Sequence, residues 1–235
     1  MTSTILIELV NPQQTNHHGT LYGGTALALM DKTGFLTVSR YARRNFVTAA
    51  SQQIDFLAPA RKGQIVELTG QIARVGRTSI TATVELVAED LLSGARQLCT
   101  RGNFVFVAVD GKDSITAAAP VVLELAAGAV QMVEMIFPDS TNHHGTLYGG
   151  TALSLMGKAA YVAATRTCRK DMAMIIAERT DFHAPAHEGE LVDLLAVPEA
   201  QQAGRCTVAV TMQAENLLTG QRWLCTQGHF VFEEQ

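Results

Sequence analysis

The chain has 235 residues, of which 47% are hydrophobic and 17% charged, enough apolar material for one large core or two small ones. Its 18 Lys and Arg against 22 Asp and Glu give a formal net charge of -4, and no stretch gathers the basic side chains, which argues against nucleic acid as a partner. Residues 1–10 lack a positive flank and hold only a short apolar run broken by Glu8, so they do not read as a signal peptide, and no apolar run approaches the length of a membrane-spanning helix. The cysteines, Cys99, Cys168, Cys206 and Cys225, show no CxxC spacing; reduced thiols in a cytoplasmic setting fit them best.

In chain order, residues 5–10 form a short β-rich run, and 11–24, with proline, asparagine and three glycines, read as loop. A helix is predicted from about 25 to 43, because Leu27, Met30, Gly34 and Val38 recur at helical spacing, and Arg40, Arg43 and Arg44 suit the negative end of its dipole. Strands are predicted at 47–56, 64–73, 78–88 and 97–109, rich in β-branched residues, with Gly63, Gly76 and Gly94 at the turns. One long helix followed by an antiparallel meander predicts an α+β domain in which a curved sheet wraps the helix.

The sequence then repeats itself. Residues 15–27 read TNHHGTLYGGTAL, and 141–153 read the same letters, an offset of 126. The same offset aligns Asp55-Phe56 with Asp181-Phe182, and Leu98-Cys99-Thr100 with Leu224-Cys225-Thr226. Two tandem copies of one domain follow, predicted as 1–110 and 130–235 with a linker at 111–129. The second helix is expected at about 151 to 169.

The motif Asn-x-x-Gly-x-x-x-Gly-Gly-x-x-Leu-x-x-Met-Asp, present as Asn16, Gly19, Gly23, Gly24, Leu27, Met30 and Asp31, resembles the hotdog-fold acyl-CoA hydrolase family. The likeness extends over nearly the whole chain, through Asp55-Phe56, Pro59, Gly63 and the Gly76-Arg77-Thr78-Ser79 turn. It implies two hotdog domains pairing as an intramolecular pseudo-dimer, acyl-CoA as substrate, no metal or redox cofactor, and a homo-oligomer in which three chains form a ring of six hotdog units.

Thioester hydrolysis needs an activated water or nucleophile and donors for the oxyanion, and hardly any acid, since a thiolate leaves readily. The glycine pairs at the start of each helix present unpaired backbone N–H groups, backed by the positive end of the dipole. They also permit a tight turn, a bland role that can coexist with the catalytic one. Asp31 lies eight residues beyond Gly23, roughly 12 Å along the axis, and cannot serve its own helix's glycines. Antiparallel pairing of the two helices would bring it to the glycines of the other copy. Position 157, its counterpart, is Gly157. The sequence therefore predicts one complete site of Asp31, Asn142, Gly149 and Gly150, and one degenerate site of Asn16, Gly23, Gly24 and Gly157. Asp31 is the general base or the nucleophile, while Asn142 orients water or the carbonyl, unless both asparagines merely brace their loops.

Arg61, Lys62, Gly76, Arg77, Thr78, Ser79 and Arg205 are the candidates for binding CoA, with a solvated surface role as the alternative for Arg61 and Lys62. The pairs His17-His18 and His143-His144, and His183 with His187, lack the company a metal site needs. A serine nucleophile lacks its GxSxG. A non-catalytic acyl-CoA sensor and a hotdog dehydratase are the rival readings.

Overall fold

The computed structural model describes residues 4–111, 114–118, 125–202 and 204–235, and the chain divides into two compact units. Among the described residues the first unit contains β1 (Thr4–Leu9), a short 3-10 turn (Pro12–Gln14), α1 (Gly23–Ala42), β2 (Phe46–Phe56), β3 (Ile65–Val75), β4 (Ser79–Glu89) and β5 (Arg96–Ala108). The second contains β6 (Val130–Met135), a 3-10 turn (Pro138–Ser140), α2 (Gly149–Cys168), β7 (Met172–Ala177), β8 (Asp181–Phe182), β9 (Leu191–Gln202), β10 (Arg205–Glu215) and β11 (Arg222–Glu234). The α+β hotdog architecture expected from the sequence is present in both.

Both helices begin two residues earlier than predicted, since the glycine pair forms the first turn instead of ending the loop. First-turn residues have no intrahelical acceptor for their N–H, so glycine's poor helix propensity matters least there. Both helices stop where Arg43 and Arg169 turn left-handed, with φ of 52° and 54°, and return their N–H groups to Ser39 and Thr165.

The predicted meander is only partly correct. The first sheet runs β1-β3-β4-β5-β2 and the second β6-β9-β10-β11-β7, with β8 beside β11. Thus β3, β4 and β5 form a meander, while β2 crosses to the far edge and pairs with β5. Connection length explains this. Residues 76–78 join adjacent strands tightly, whereas 57–64, carrying Pro59, is long enough to cross from one sheet edge to the other.

Strict alternation on β4 buries Ile80, Ala82, Val84, Leu86 and Ala88, and on β10 it buries Cys206, Val208, Val210, Met212 and Ala214. These faces receive the helices. In the first unit the approach is close: a Cβ at Gly70 would stand 2.1 Å from Thr37 Oγ1, and one at Gly34 would stand 2.9 Å from the Phe106 ring. At the Thr37 and Gly70 positions the second unit has Ala163 and Ala196, both fully buried. One large and one small residue have been exchanged for two of middle size, so the helix keeps its seat.

A charged latch recurs outside each core. Arg96 bonds Glu89 at 2.7 Å and Glu67 at 2.6 Å, while Arg222 bonds Glu215 and, at 3.2 Å, Asp193, which also accepts from Gln131 Nε2. The predicted linker at 111–129 lies partly outside the described residues. Of its described residues, 114–118 are held on the first unit: the buried Arg44 binds Asp110 and donates to the Ser114 carbonyl at 2.8 Å, Ala118 N donates to Tyr41 O at 2.7 Å, and Ile115 packs against the core.

Candidate functional site

The repeated loops fold alike because each asparagine organises its own turn. Asn16 Oδ1 accepts from His18 N at 2.9 Å and Thr20 N at 3.3 Å, and its Nδ2 donates to Thr20 Oγ1 at 3.0 Å. Asn142 makes the same bonds to His144 N, Thr146 N and Thr146 Oγ1 at 2.9, 3.3 and 2.9 Å. The bracing role is therefore real in both copies. It delivers the chain to Gly23-Gly24 and Gly149-Gly150, whose amides precede the first intrahelical bonds, Ala26 N to Tyr22 O and Ala152 N to Tyr148 O, each 3.0 Å.

In the first unit this corner opens into a cavity of about 370 Å³. Asn16, Thr20, Gly23, Phe56, Cys99 and Thr100 are among its walls. A second hollow of about 400 Å³ is lined by His18, Gly19, Thr20, Pro59, Arg61 and Lys62. Thr20 bridges directly to Arg61 in the backbone, and Lys62 N donates to Gly19 O at 3.0 Å. Two of the predicted CoA-binding cations thus sit beside the predicted degenerate loop. In the second unit Thr146 bridges instead to His187, whose ring faces Glu190 at 3.4 Å. Burial pushes the Cys99 thiol up, and pushes that of Cys225, its counterpart, up to about 11. Both stay protonated at neutral pH, as a thiolate nucleophile would not.

The other CoA candidates are not gathered with these. Gly76 N donates to Ser79 O at 2.7 Å, closing the β3–β4 turn with Arg77 and Thr78 at its tip. All eleven residues of β3 separate that turn from Arg61 and Lys62, roughly 35 Å of extended chain. Within one unit they cannot form a single phosphate site. Arg205, at the start of β10, has its Nε on Glu233 at 2.8 Å.

Asp31 is half-buried on the outer face of α1, below the exposed Leu27 and Ala28. Its Oδ1 accepts from Thr48 Oγ1, on β2, at 2.9 Å. The sequence reading missed Thr48. The signal was available, because the offset of 126 that turns Asp31 into Gly157 turns Thr48 into Met174. In the second unit these replacements meet as well: a Cβ at Gly157 would lie 3.2 Å from Met174 Cε. An acid held by a hydroxyl in one copy has become a gap filled by a methyl in the other. Among the described residues, no three His, Cys, Asp or Glu side chains converge as a metal site would require.

The family model of the thioesterase superfamily matches residues 18–95 and again 144–220. The chain belongs to the thioesterase superfamily. This thioesterase-superfamily chain resembles the crystal structure of an acyl-CoA hydrolase from Agrobacterium tumefaciens, at 41% identity and a TM-score of 0.90, covering 99% of this chain and 95% of that one. An uncharacterised acyl-CoA thioester hydrolase of Bacillus subtilis is 35% identical over 101 residues, 43% of this chain and 59% of the relative. Mouse acyl-coenzyme A thioesterase 11 is 24% identical over 265 residues, 91% of this chain and 45% of the relative. The chain spans roughly half the length of the curated relatives it matches. Their names agree with the chemistry expected from the loop–helix motif.

Proposed function

We propose that this protein hydrolyses acyl-CoA to a free carboxylic acid and CoA, with Asp31 of the first repeat acting on a thioester held by Asn142, Gly149 and Gly150 of the second. The observation that carries the reading is the unequal fate of two otherwise duplicated sites: Asp31 held by Thr48 at 2.9 Å in one, Gly157 beside Met174 in the other. A structural duplicate would have no reason to keep a half-buried carboxylate with its own hydroxyl donor in one copy only.

Asp31 takes a proton from water as the water oxygen attacks the thioester carbon, or attacks that carbon itself to give an anhydride that water then opens. The amides of Gly149 and Gly150 hold the oxyanion, the C–S bond breaks, and CoA leaves as a thiolate that recovers the proton. Asn16, Gly23, Gly24 and Gly157 form the degenerate site. Arg61 and Lys62 offer charge to CoA phosphates at the first repeat's loop, and the Gly76–Ser79 turn and Arg205 are the further candidates. The chemistry calls on no cofactor. Three chains assembling as a ring of six hotdog units, and a cytoplasmic location, complete the proposal; for the latter, a human relative 18% identical over 234 residues is named a cytosolic acyl coenzyme A thioester hydrolase.

Thiol release from a series of acyl-CoA esters, compared in wild type and Asp31→Ala, tests this. Loss of at least about 100-fold in kcat is expected on removing the group that activates the attacking water. Turnover surviving the substitution refutes the assignment, and binding without turnover in wild type would make the protein a sensor.

A further inference from the structure

Among the described residues, five buried side-chain atoms have no hydrogen-bond partner, and three of them are hydroxyls: Ser39, Thr165 and Thr226. Ser39 and Thr165 lie in the last turns of α1 and α2, at the far end from the glycines. Thr226 is different. It lies on β11 and is 1% exposed, and a hydroxyl so enclosed is destabilising unless something meets it.

Its surroundings point to what does. The residue opposite Thr226 on β8 is Phe182, and the tip of that ring stands 3.9 Å from where a Cβ on Gly149 would be. After β8 the chain folds over the same spot, with His183 N and Ala184 N donating to Cys225 O at 2.7 and 3.4 Å. Trp223 Nε1 closes the corner on Pro185 O at 2.9 Å. In the first repeat the corresponding residues are Thr100, Phe56 and Gly23, and all three line the 370 Å³ cavity together with Asn16. By that equivalence Thr226 holds in the second repeat the wall position that Thr100 holds in the first, opposite Phe182, whose ring tip neighbours Gly149.

We infer that Thr226 is a substrate-binding residue, whose hydroxyl bonds the polar thioester end of an acyl-CoA bound beside Gly149. The ligand class follows from the chemistry: a hydroxyl both donates and accepts, and the thioester and the amide-bearing arm behind it offer a carbonyl oxygen and N–H groups. This inference rests on the acyl-CoA hydrolase reading above and adds to it a contact from β11, outside the loop–helix motif.

Thr226→Val keeps the shape and removes the hydroxyl, and Thr226→Ser keeps the hydroxyl. The measurements are kcat and KM for an acyl-CoA, affinity for a non-hydrolysable S-alkyl-CoA thioether, and the thermal midpoint. Thr226→Val should match or exceed wild type in midpoint, since no protein partner is lost, yet fall about 10-fold in kcat/KM and in thioether affinity, the scale of one hydrogen bond. Thr226→Ser should recover most of both. A lowered midpoint in Thr226→Val would reveal a structural bond and overturn the inference, as would kcat/KM and affinity within about twofold of wild type. Wild type that neither hydrolyses acyl-CoA nor binds the thioether would overturn the acyl-CoA reading and this inference with it, whereas an active wild type with an unaltered Thr226→Val overturns this inference alone.

Discussion

Thr48→Val is the perturbation that most directly asks whether Asp31 is held for chemistry. The exchange nearly preserves side-chain volume and removes only the donor that reaches Asp31 Oδ1 at 2.9 Å. Hydrogen bonds to charged groups contribute about 1.5–3 kcal/mol. Asp31 is half-buried and keeps solvent access, so the lower end applies, and about 1.4 kcal/mol is a factor of ten in rate. A carboxylate free to swing by an ångström adds a positional penalty that can reach about 100-fold. The expected result is a kcat lowered about 10- to 100-fold with KM within about twofold, because the lost contact serves the reacting group and not the bound substrate. CoA thiol released per second, followed with a chromogenic thiol reagent, reads this directly, and the thermal midpoint controls for folding. Thr48→Ser should retain most of the rate. A Thr48→Val enzyme with undiminished kcat would show that the hydroxyl only solvates a surface carboxylate, and the argument from the unequal repeats would fall.

The converse experiment rebuilds the missing pair. In an Asp31→Ala background, Gly157→Asp with Met174→Thr should raise turnover about tenfold above the single variant, a partial return of the roughly 100-fold or more that a positioned base contributes. Gly157→Asp alone should recover less, because the new Cβ would meet Met174 Cε at 3.2 Å; no gain from the pair would mean that more than the acid has decayed. For stability, Arg222→Ala should cost about 3–5 kcal/mol by urea unfolding, since it removes the cation paired with the buried carboxylates of Glu215 and Asp193. Arg96→Ala, whose guanidinium is 44% exposed, should cost clearly less, and equal losses would refute burial as the cause.

Periodicity and the repeat made the helices, the strands and the duplication legible, because those signals are local or fixed by a constant offset. Strand order was not legible: β2 beside β5 depends on where an eight-residue connection lands, and nothing in the alternation of either strand states its neighbour. Asp31, the glycine pairs and the asparagines were readable from one contiguous motif. Thr48 lies outside that motif, 17 residues on, and meets Asp31 only when β2 folds back beside α1, so its one trace in the sequence is the change to Met174 in the second copy. Thr226 is hidden for the same reason on a larger scale, its significance arising from an absent partner. How far Arg61 and Lys62 stand from the Gly76–Ser79 turn was likewise not legible from their nearness in sequence, because the eleven residues of β3 between them form an extended strand.

The grip of Arg44 and Tyr41 on residues 114–118 also decides where the molecule can be cut. A fragment ending at residue 110 would forfeit the packing of Ile115 and deprive a buried guanidinium of the Ser114 carbonyl. Ending the fragment after Ala118 keeps both, so the portion of chain after β5 belongs energetically to the module it leaves, and dissection of the tandem into halves should begin beyond it.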